Sequence, residues 1–183
     1  DFCARMLEMT AGEVDPEFIF LSEPISNNNG PLISPSMFEE FMIPVYERIV
    51  AVAREHGCER FLVSTYGNTA RLFPAMIKAG VTLLWISEAA EVAELDYGNL
   101  RRQYGPQVGL IGGIPLSILR AESAEIIKDG LEETMIPLLR TGRYIPLASG
   151  RVREEVPWAA YKYYREVMYQ LMLASQSTSI QGS

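Results

Sequence analysis

The stretch ERFLVSTYGNTARLFPAMIKAGVTLLWIS, residues 59–87, carries the pattern that decides the fold. Its short apolar run at residues 61–63 stops at the polar residues 64–67, as a buried strand does where it enters a loop. Apolar residues then recur at helical spacing up to Gly80, a residue suited to the positive φ of a helix C-terminus. The continuously apolar residues 81–86 predict a second strand, covered on both faces as in a parallel sheet. The stretch therefore predicts one strand-helix-strand unit.

The same alternation continues on both sides of this unit. Further apolar runs begin near Phe18, Val108 and Tyr144, and each is followed by residues that recur at helical spacing. Such alternation implies parallel strands joined by right-handed crossovers. We find no glycine-rich dinucleotide fingerprint after the first strand, no Walker motif and no nucleophile elbow. A complete eight-stranded barrel takes about 250 residues, so the sequence predicts an α/β fold of the TIM (β/α)8-barrel type, of which this chain covers about the last five units.

The segment between the first two predicted strands is expected to be a long loop followed by one helix. Residues 22–35 are rich in Ser, Asn, Gly and Pro, which is typical of a loop. Ser34 or Ser36, with Pro35, predicts the start of the helix. The apolar stripe of this helix, interrupted by Pro44, consists of Phe38, Phe41, Val45, Ile49 and Val52.

Charge and composition narrow the possible partners. The chain has 16 Lys and Arg against 23 Asp and Glu, a net charge of −7, which argues against nucleic acid or an anionic membrane as a partner. No apolar run approaches the roughly 20 residues of a membrane span, and no signal peptide is visible. We therefore expect a cytoplasmic protein with a small-molecule ligand. Cys3, His56 and Cys58 form no ligand motif, so we expect no metal site.

The domain organisation follows from the same patterns. We assign residues 1–175 to the C-terminal portion of a single barrel domain and residues 176–183 to a polar tail. The chain begins at Asp1, and its first residues have the pattern of a helix already in progress. We therefore expect an N-terminal half of the barrel that is missing here, or a second chain, to cover the open sheet.

Four segments in a fixed order resemble the uroporphyrinogen decarboxylase superfamily, which includes the cobalamin-dependent methyltransferases. They are EPISNNNGPLISPSMFEEFMIPVYERI at 23–49, YGN at 66–68 with LFPAMIKAGV at 72–81, YGPQVGLIGGI at 104–114, and GRYIP at 142–146. The resemblance implies a barrel whose active site lies at the C-terminal ends of the strands.

The same resemblance implies an enzyme that acts on a tetrapyrrole-related or methylated small substrate. The reaction would be decarboxylation, as in a lyase, or zinc-independent methyl transfer linked to a corrinoid. No cofactor is expected to bind this chain itself, and for methyl transfer a partner protein would supply the corrinoid.

Several positions depart from the family pattern. Ser64 and Tyr66 stand where the methyltransferases carry a His-x-Cys pair that binds zinc, and neither can replace imidazole or thiolate. Pro24, Pro115 and residues 149–150 stand where decarboxylase-like members carry acids and a histidine. These departures keep an alternative open, in which a catalytically degenerate barrel serves as a small-molecule binding or scaffold protein.

Polar residues at predicted strand ends are the candidate site residues. Glu23 and Glu88 follow strands, and are expected to point into the same barrel mouth as acid, base or cation ligand; solvated loop carboxylates are the other interpretation. Tyr66 is the third candidate catalytic residue, since its phenol can hydrogen-bond a ligand. The candidate substrate-binding residues are Asn68, Gly112, Gly113, Arg151 and Arg153.

The substrate-binding candidates have equally simple structural interpretations. Arg151 and Arg153 suit carboxylates, which arginine binds through two parallel hydrogen bonds, but they could instead pair with Glu154 and Glu155. Asn68 could stabilise its own loop. The two glycines allow a close approach of either ligand or protein backbone, with packing the favoured explanation.

Overall fold

The computed structural model describes residues 2–88 and 95–180, with only the backbone described for 177–180. The chain divides into two units, Asp1–Ile86 and Ser87–Ser183. Within the described ranges, none of the helices combines the length and hydropathy that a membrane crossing requires.

The first unit alternates helices and strands in the predicted manner. Its elements are α1 (Phe2–Ala11), β1 (Ile19–Glu23), β2 (Ser26–Asn27), β3 (Gly30–Pro31), α2 (Pro35–Phe41), α3 (Ile43–Glu55), β4 (Phe61–Tyr66), a 3-10 turn (Ala70–Leu72), α4 (Phe73–Lys78) and β5 (Leu83–Ser87). The last residue of β5, Ser87, is the first residue of the second unit. The strand order is β1-β4-β5. β1 and β4 are parallel, with Glu23 opposite Thr65, as the alternation predicts.

One face of β1 and β4 is covered by α1 and α3. Ile19, Leu21 and Phe61 pack against apolar residues of these two helices. Because successive side chains of a strand point to opposite faces, Glu23 leaves its strand on the same, helix-facing side as Leu21. Tyr66 leaves β4 on the other side. The two candidate residues therefore start from opposite faces of the sheet.

The polar segments of this unit are more regular than expected. β4 continues through Ser64 and Thr65, both buried, because the parallel pairing with β1 satisfies their backbone groups, and a β-branched Thr suits a strand. The predicted long loop contains the antiparallel hairpin β2–β3. At its tip the Asn29 N–H donates to Asn27 Oδ1 at 2.8 Å, a side-chain turn that polar composition alone does not distinguish from irregular loop.

The predicted helix is in fact two helices. α2 begins where the Met37 N–H donates to the Ser34 side chain at 3.1 Å, and the chain breaks at Met42 before Pro44, so the N-cap and the interruption are confirmed. The break changes which residues face the core: Phe38, Ile49 and Val52 are buried, whereas Phe41 and Val45 are exposed.

The second unit repeats the alternation. Its elements are α5 (Tyr97–Tyr104), β6 (Gly109–Ile114), α6 (Leu116–Leu119), α7 (Ala124–Thr141), β7 (Tyr144–Ala148) and α8 (Trp158–Ile180). β6 and β7 are parallel, with Leu110 opposite Tyr144, and α7 packs against α8 and both strands. The Ser123 side chain caps α7, accepting a hydrogen bond from the Glu125 N–H.

The last helix extends further than the apolar pattern indicates. α8 continues to Ile180, past Leu173 and into the predicted polar tail, since polar residues without Gly or Pro do not end a helix. Residues 181–183 lie outside the described part of the chain, as does most of the predicted loop after Glu88. The domain limits at 175 and the assignment to the last five units of a barrel remain predictions.

A buried guanidinium joins the ends of two helices in this unit. Arg101 is only 7% exposed, and burial, with the nearby Arg143 charge, lowers its pKa. Its N–H groups donate at 2.8–3.2 Å to the carbonyls of Gly105, Val108, Gly142 and Arg143. A cation at helix C-termini is favourable because carbonyl dipoles converge there.

Candidate active site

Glu23 ends β1 and has a partner that sequence reasoning missed. The Tyr46 side chain of α3 is buried, with its ring edge-on to Phe38 at 5.7 Å between centroids. Its hydroxyl interacts with the Glu23 carboxyl. Tyr46 lies one helical turn before Ile49 but was not part of the predicted apolar stripe. Helical spacing from Ile49 could have found its buried position, but not its contact with a strand end.

Burial governs the protonation of this pair. Desolvation raises the pKa of the partly exposed Glu23, and the Tyr46 hydroxyl opposes that shift only in part. The hydroxyl completes no well-aligned hydrogen bond with any described residue, so burial is the larger influence. The pKa of Tyr46 is raised by burial and then by the Glu23 charge. Glu23 therefore retains its proton to higher pH than an exposed glutamate.

Tyr66 and Asn68 lie at the carboxyl end of β4. The Tyr66 side chain is 36% exposed. The Asn68 backbone N–H donates to Asn27 O at 2.8 Å, and its side-chain oxygen accepts from the Ala70 N–H at 3.3 Å. These Asn68 contacts are those of a loop-stabilising residue, and a role in substrate binding stays a prediction.

Glu88 and Arg153 come together in the second unit. Glu88 directly follows β5, and Arg153 lies in the loop after β7. One guanidinium nitrogen, Nη2, is 4.0 Å from Glu88 Oε1, with both side chains more than half exposed. Glu88 has φ 59, one of two described non-glycine residues in the left-handed region. A carboxylate and a cation thus stand side by side in reach of solvent.

Gly150 supports this arrangement. It has φ 123, and a Cβ built on it would lie 3.2 Å from the Leu116 side chain and 3.4 Å from Glu88 Cγ. A side chain here would be strained and would press on the Glu88 stem. Position 150, one of the two at which the family resemblance predicts a histidine, therefore accepts only glycine without rearrangement.

Arg153 in the last loop lies near two carboxylates. Its Nη2 is 4.0 Å from Glu88 Oε1, and its charge also acts on Glu155, which accepts a hydrogen bond from Arg120 Nη2 at 2.6 Å. Arg151 is exposed, and its role in binding stays a prediction.

The two candidate glycines have structural duties. A Cβ on Gly113 would lie 2.6 Å from the Tyr97 ring. The Gly112 carbonyl accepts a hydrogen bond from the Tyr144 hydroxyl at 2.8 Å. These contacts support the packing explanation, although binding of a ligand by the glycines remains untested.

Zinc, which the methyltransferase relatives use, does not fit the residues present. Ser64 is 2% exposed within β4, and Tyr66 offers a phenol. A buried hydroxyl and a phenol lack the affinity of thiolate and imidazole for zinc. No step of a mechanism is therefore assigned to zinc at these positions.

Parallel strands that alternate with helices and bear polar residues at their carboxyl ends define an α/β protein of the type that hosts enzyme sites at strand ends. The family model for uroporphyrinogen decarboxylase (URO-D) matches residues 1–171, and the chain belongs to this family. The sequence resemblance is thereby confirmed. The family implies a TIM barrel, with which the parallel strands of each unit are consistent. A search of curated proteins finds no significant match to the chain.

Proposed function

We propose that this chain is a decarboxylase that acts on a small, tetrapyrrole-related carboxylic acid at the strand ends of its second unit. The observation that carries the proposal is the solvent-accessible pair of Glu88 and Arg153. Family membership supports an enzyme of the decarboxylase or methyltransferase kind. Glu88 follows a strand directly, which is where barrel enzymes place catalytic groups.

The pair supplies what decarboxylation needs. When a substrate carboxylate leaves as carbon dioxide, the bond's electron pair stays on carbon, and that carbon must accept a proton. The Glu88 carboxylate would take up a proton from water, to which the side chain is open, and would deliver that proton to the carbon, returning to the carboxylate form. Arg153 would hold a second negative group of the substrate. Acid catalysis of this kind is typically worth about 10² to 10⁴ in rate.

Methyl transfer to a corrinoid held by a partner protein is the other reaction that the family resemblance implies. Decarboxylation is favoured because it needs a proton donor, and methyl transfer to a corrinoid does not deliver a proton to carbon. Glu23, Tyr66, Asn68, Gly112, Gly113 and Arg151 stay candidate residues. Neither the substrate nor the cytoplasmic location has been tested.

The test is release of labelled carbon dioxide from uroporphyrinogen and from smaller pyrrole carboxylic acids. We expect Glu88→Gln to lower turnover by about 10² to 10⁴. The matched control is Glu132→Gln, which removes an acid paired with Lys128 on α7 and should change turnover less than twofold. Turnover that survives in Glu88→Gln would contradict the proposal. A wild-type protein that binds these acids without turnover would instead support the degenerate barrel.

A further inference from the structure

Among the described residues of the second unit, two arginine-glutamate pairs occur, and only one of them is joined by a hydrogen bond. Arg120 and Glu155 form a hydrogen bond at 2.6 Å. Arg153 and Glu88 are 4.0 Å apart at their nearest charged atoms, with side-chain exposures of 60% and 51%. This separation is too long for a hydrogen bond. The Arg153 guanidinium is therefore attracted to Glu88 without being bound by it.

The Glu88 carboxylate is placed there by its backbone. The left-handed φ of 59 is unfavourable for glutamate, and such conformations gather at ligand sites and switch regions. On one side the Glu88 stem meets Gly150, where a Cβ would come within 3.4 Å. Backbone and packing thus bring a carboxylate to the guanidinium, at a distance where the ion pair itself contributes little.

We propose that Arg153 is the core of a carboxylate-binding site in which Glu88 occupies the guanidinium until a ligand carboxylate displaces it. The inference deepens the proposed function and rests on it, because it names the ligand class of the same site. It also explains how Glu88 would become free: the ligand that takes Arg153 releases the Glu88 carboxylate, which can then take up a proton from water and deliver it to the substrate carbon.

The chemistry favours displacement. A free carboxylate can approach a guanidinium with two parallel hydrogen bonds at about 2.7–2.9 Å, which Glu88 does not make. Two carboxylates beside one guanidinium repel each other, so binding of the ligand and retention of Glu88 oppose each other. Glu88 should therefore weaken the binding of anions and leave neutral ligands unaffected.

The experiment is an NMR titration of the full chain with acetate, followed at the Arg153 Nε–H signal at constant ionic strength. Arg153→Lys identifies that signal by its loss. We expect Glu88→Gln to bind acetate about fivefold to tenfold more tightly than wild type. Glu88→Gly, which adopts the left-handed conformation without the steric cost, should bind acetate more tightly by the same factor. Arg153→Gln, followed by backbone amides near residue 150, should lose the response.

Two controls test whether the response is specific to an anion and to the Arg153 site. Acetamide, the neutral counterpart of acetate, should give no shift, and Lys128→Gln, which removes a cation paired with Glu132, should bind acetate within twofold of wild type. Equal or weaker acetate binding in Glu88→Gln would overturn the inference, as would an equal response to acetamide. Tighter acetate binding in a protein that shows no decarboxylation would uphold this site and reject the proposed reaction.

Discussion

Glu23 and Glu88 satisfy the same sequence criterion, an acid at the end of a buried strand, yet their surroundings differ. Glu23 leaves β1 on the helix-facing side, is partly buried and meets Tyr46 of α3. Glu88 is more than half exposed, has a left-handed backbone and faces Arg153 across 4.0 Å. One acid is part of a packed layer, and the other is presented to solvent. The face of the strand and the neighbouring loops therefore decide how far each of these two carboxyl groups is exposed to solvent.

The largest effect on stability is expected from substitution of Tyr46, the partner of the partly buried Glu23. Tyr46 is 1% exposed, so Tyr46→Ala would leave a large cavity and lower the free energy of unfolding by about 3–5 kcal/mol. Urea unfolding measures this loss. Tyr46→Phe is the control, because its hydroxyl has no well-aligned partner among the described residues, and it should change stability by less than about 1 kcal/mol. A small loss in Tyr46→Ala would show that Glu23 does not lie in a packed layer.

The next effect concerns the backbone of the exposed acid. Glycine adopts φ 59 without the steric cost that glutamate bears, so Glu88→Gly should raise the free energy of unfolding by about 1–2 kcal/mol. Thermal unfolding measures the gain. Glu88→Ala removes the same carboxylate without relieving the backbone and should show no gain. If both variants were equally stable, the left-handed conformation would cost nothing, and the contrast with Glu23 would rest on exposure alone.

The sequence predicts the alternation of elements well because it depends on local signals. Ser34 caps a helix where the N-cap pattern places it, and strands form where the apolar runs begin near Val108 and Tyr144. Side-chain placement follows less well, because it depends on contacts distant in sequence. The chain breaks at Met42, and the two predicted stripe residues on either side of the break, Phe41 and Val45, are exposed.

The candidate site shows the same limit. Their positions at strand ends identified Glu23 and Glu88 as candidates. The alternation of side chains along β1 shows which face carries Glu23 only when Leu21 is known to face α3. Tyr46 lies 23 residues after Glu23 in the sequence, and Arg153 lies 65 residues after Glu88. No short-range spacing rule connects them. The left-handed backbone of Glu88 also had no signal, since glutamate rarely adopts it.

A third prediction uses pH to compare the protonation of Glu23 in the folded and unfolded chain. Burial raises its folded pKa above the ordinary 4.5, so its stabilising contribution is full below that value and is lost as pH rises through the folded pKa. The free energy of unfolding of Glu23→Gln should therefore rise relative to that of wild type as the pH goes from acidic to neutral. The rise should be about 1 kcal/mol or less after solvent screening. Urea unfolding at several pH values measures the gain. Tyr46→Phe should steepen the wild-type dependence, and a pH-independent difference would contradict the burial argument.

The smallest effect is expected from the Glu88–Arg153 pair itself, because an exposed pair at 4.0 Å gains little Coulomb energy and must order two long side chains. A double-mutant cycle with Glu88→Gln and Arg153→Gln should give a coupling free energy of about 0.2–1 kcal/mol, falling toward zero in about 1 M salt, where the Debye length is about 3 Å. The Arg120–Glu155 pair, closed at 2.6 Å, is the reference and should couple more strongly. A Glu88–Arg153 coupling that exceeded the reference would mean that the pair is a structural clamp. In that case a ligand carboxylate would have to break a strong contact, and Glu88 would resemble the packed Glu23 more than an acid held ready for release.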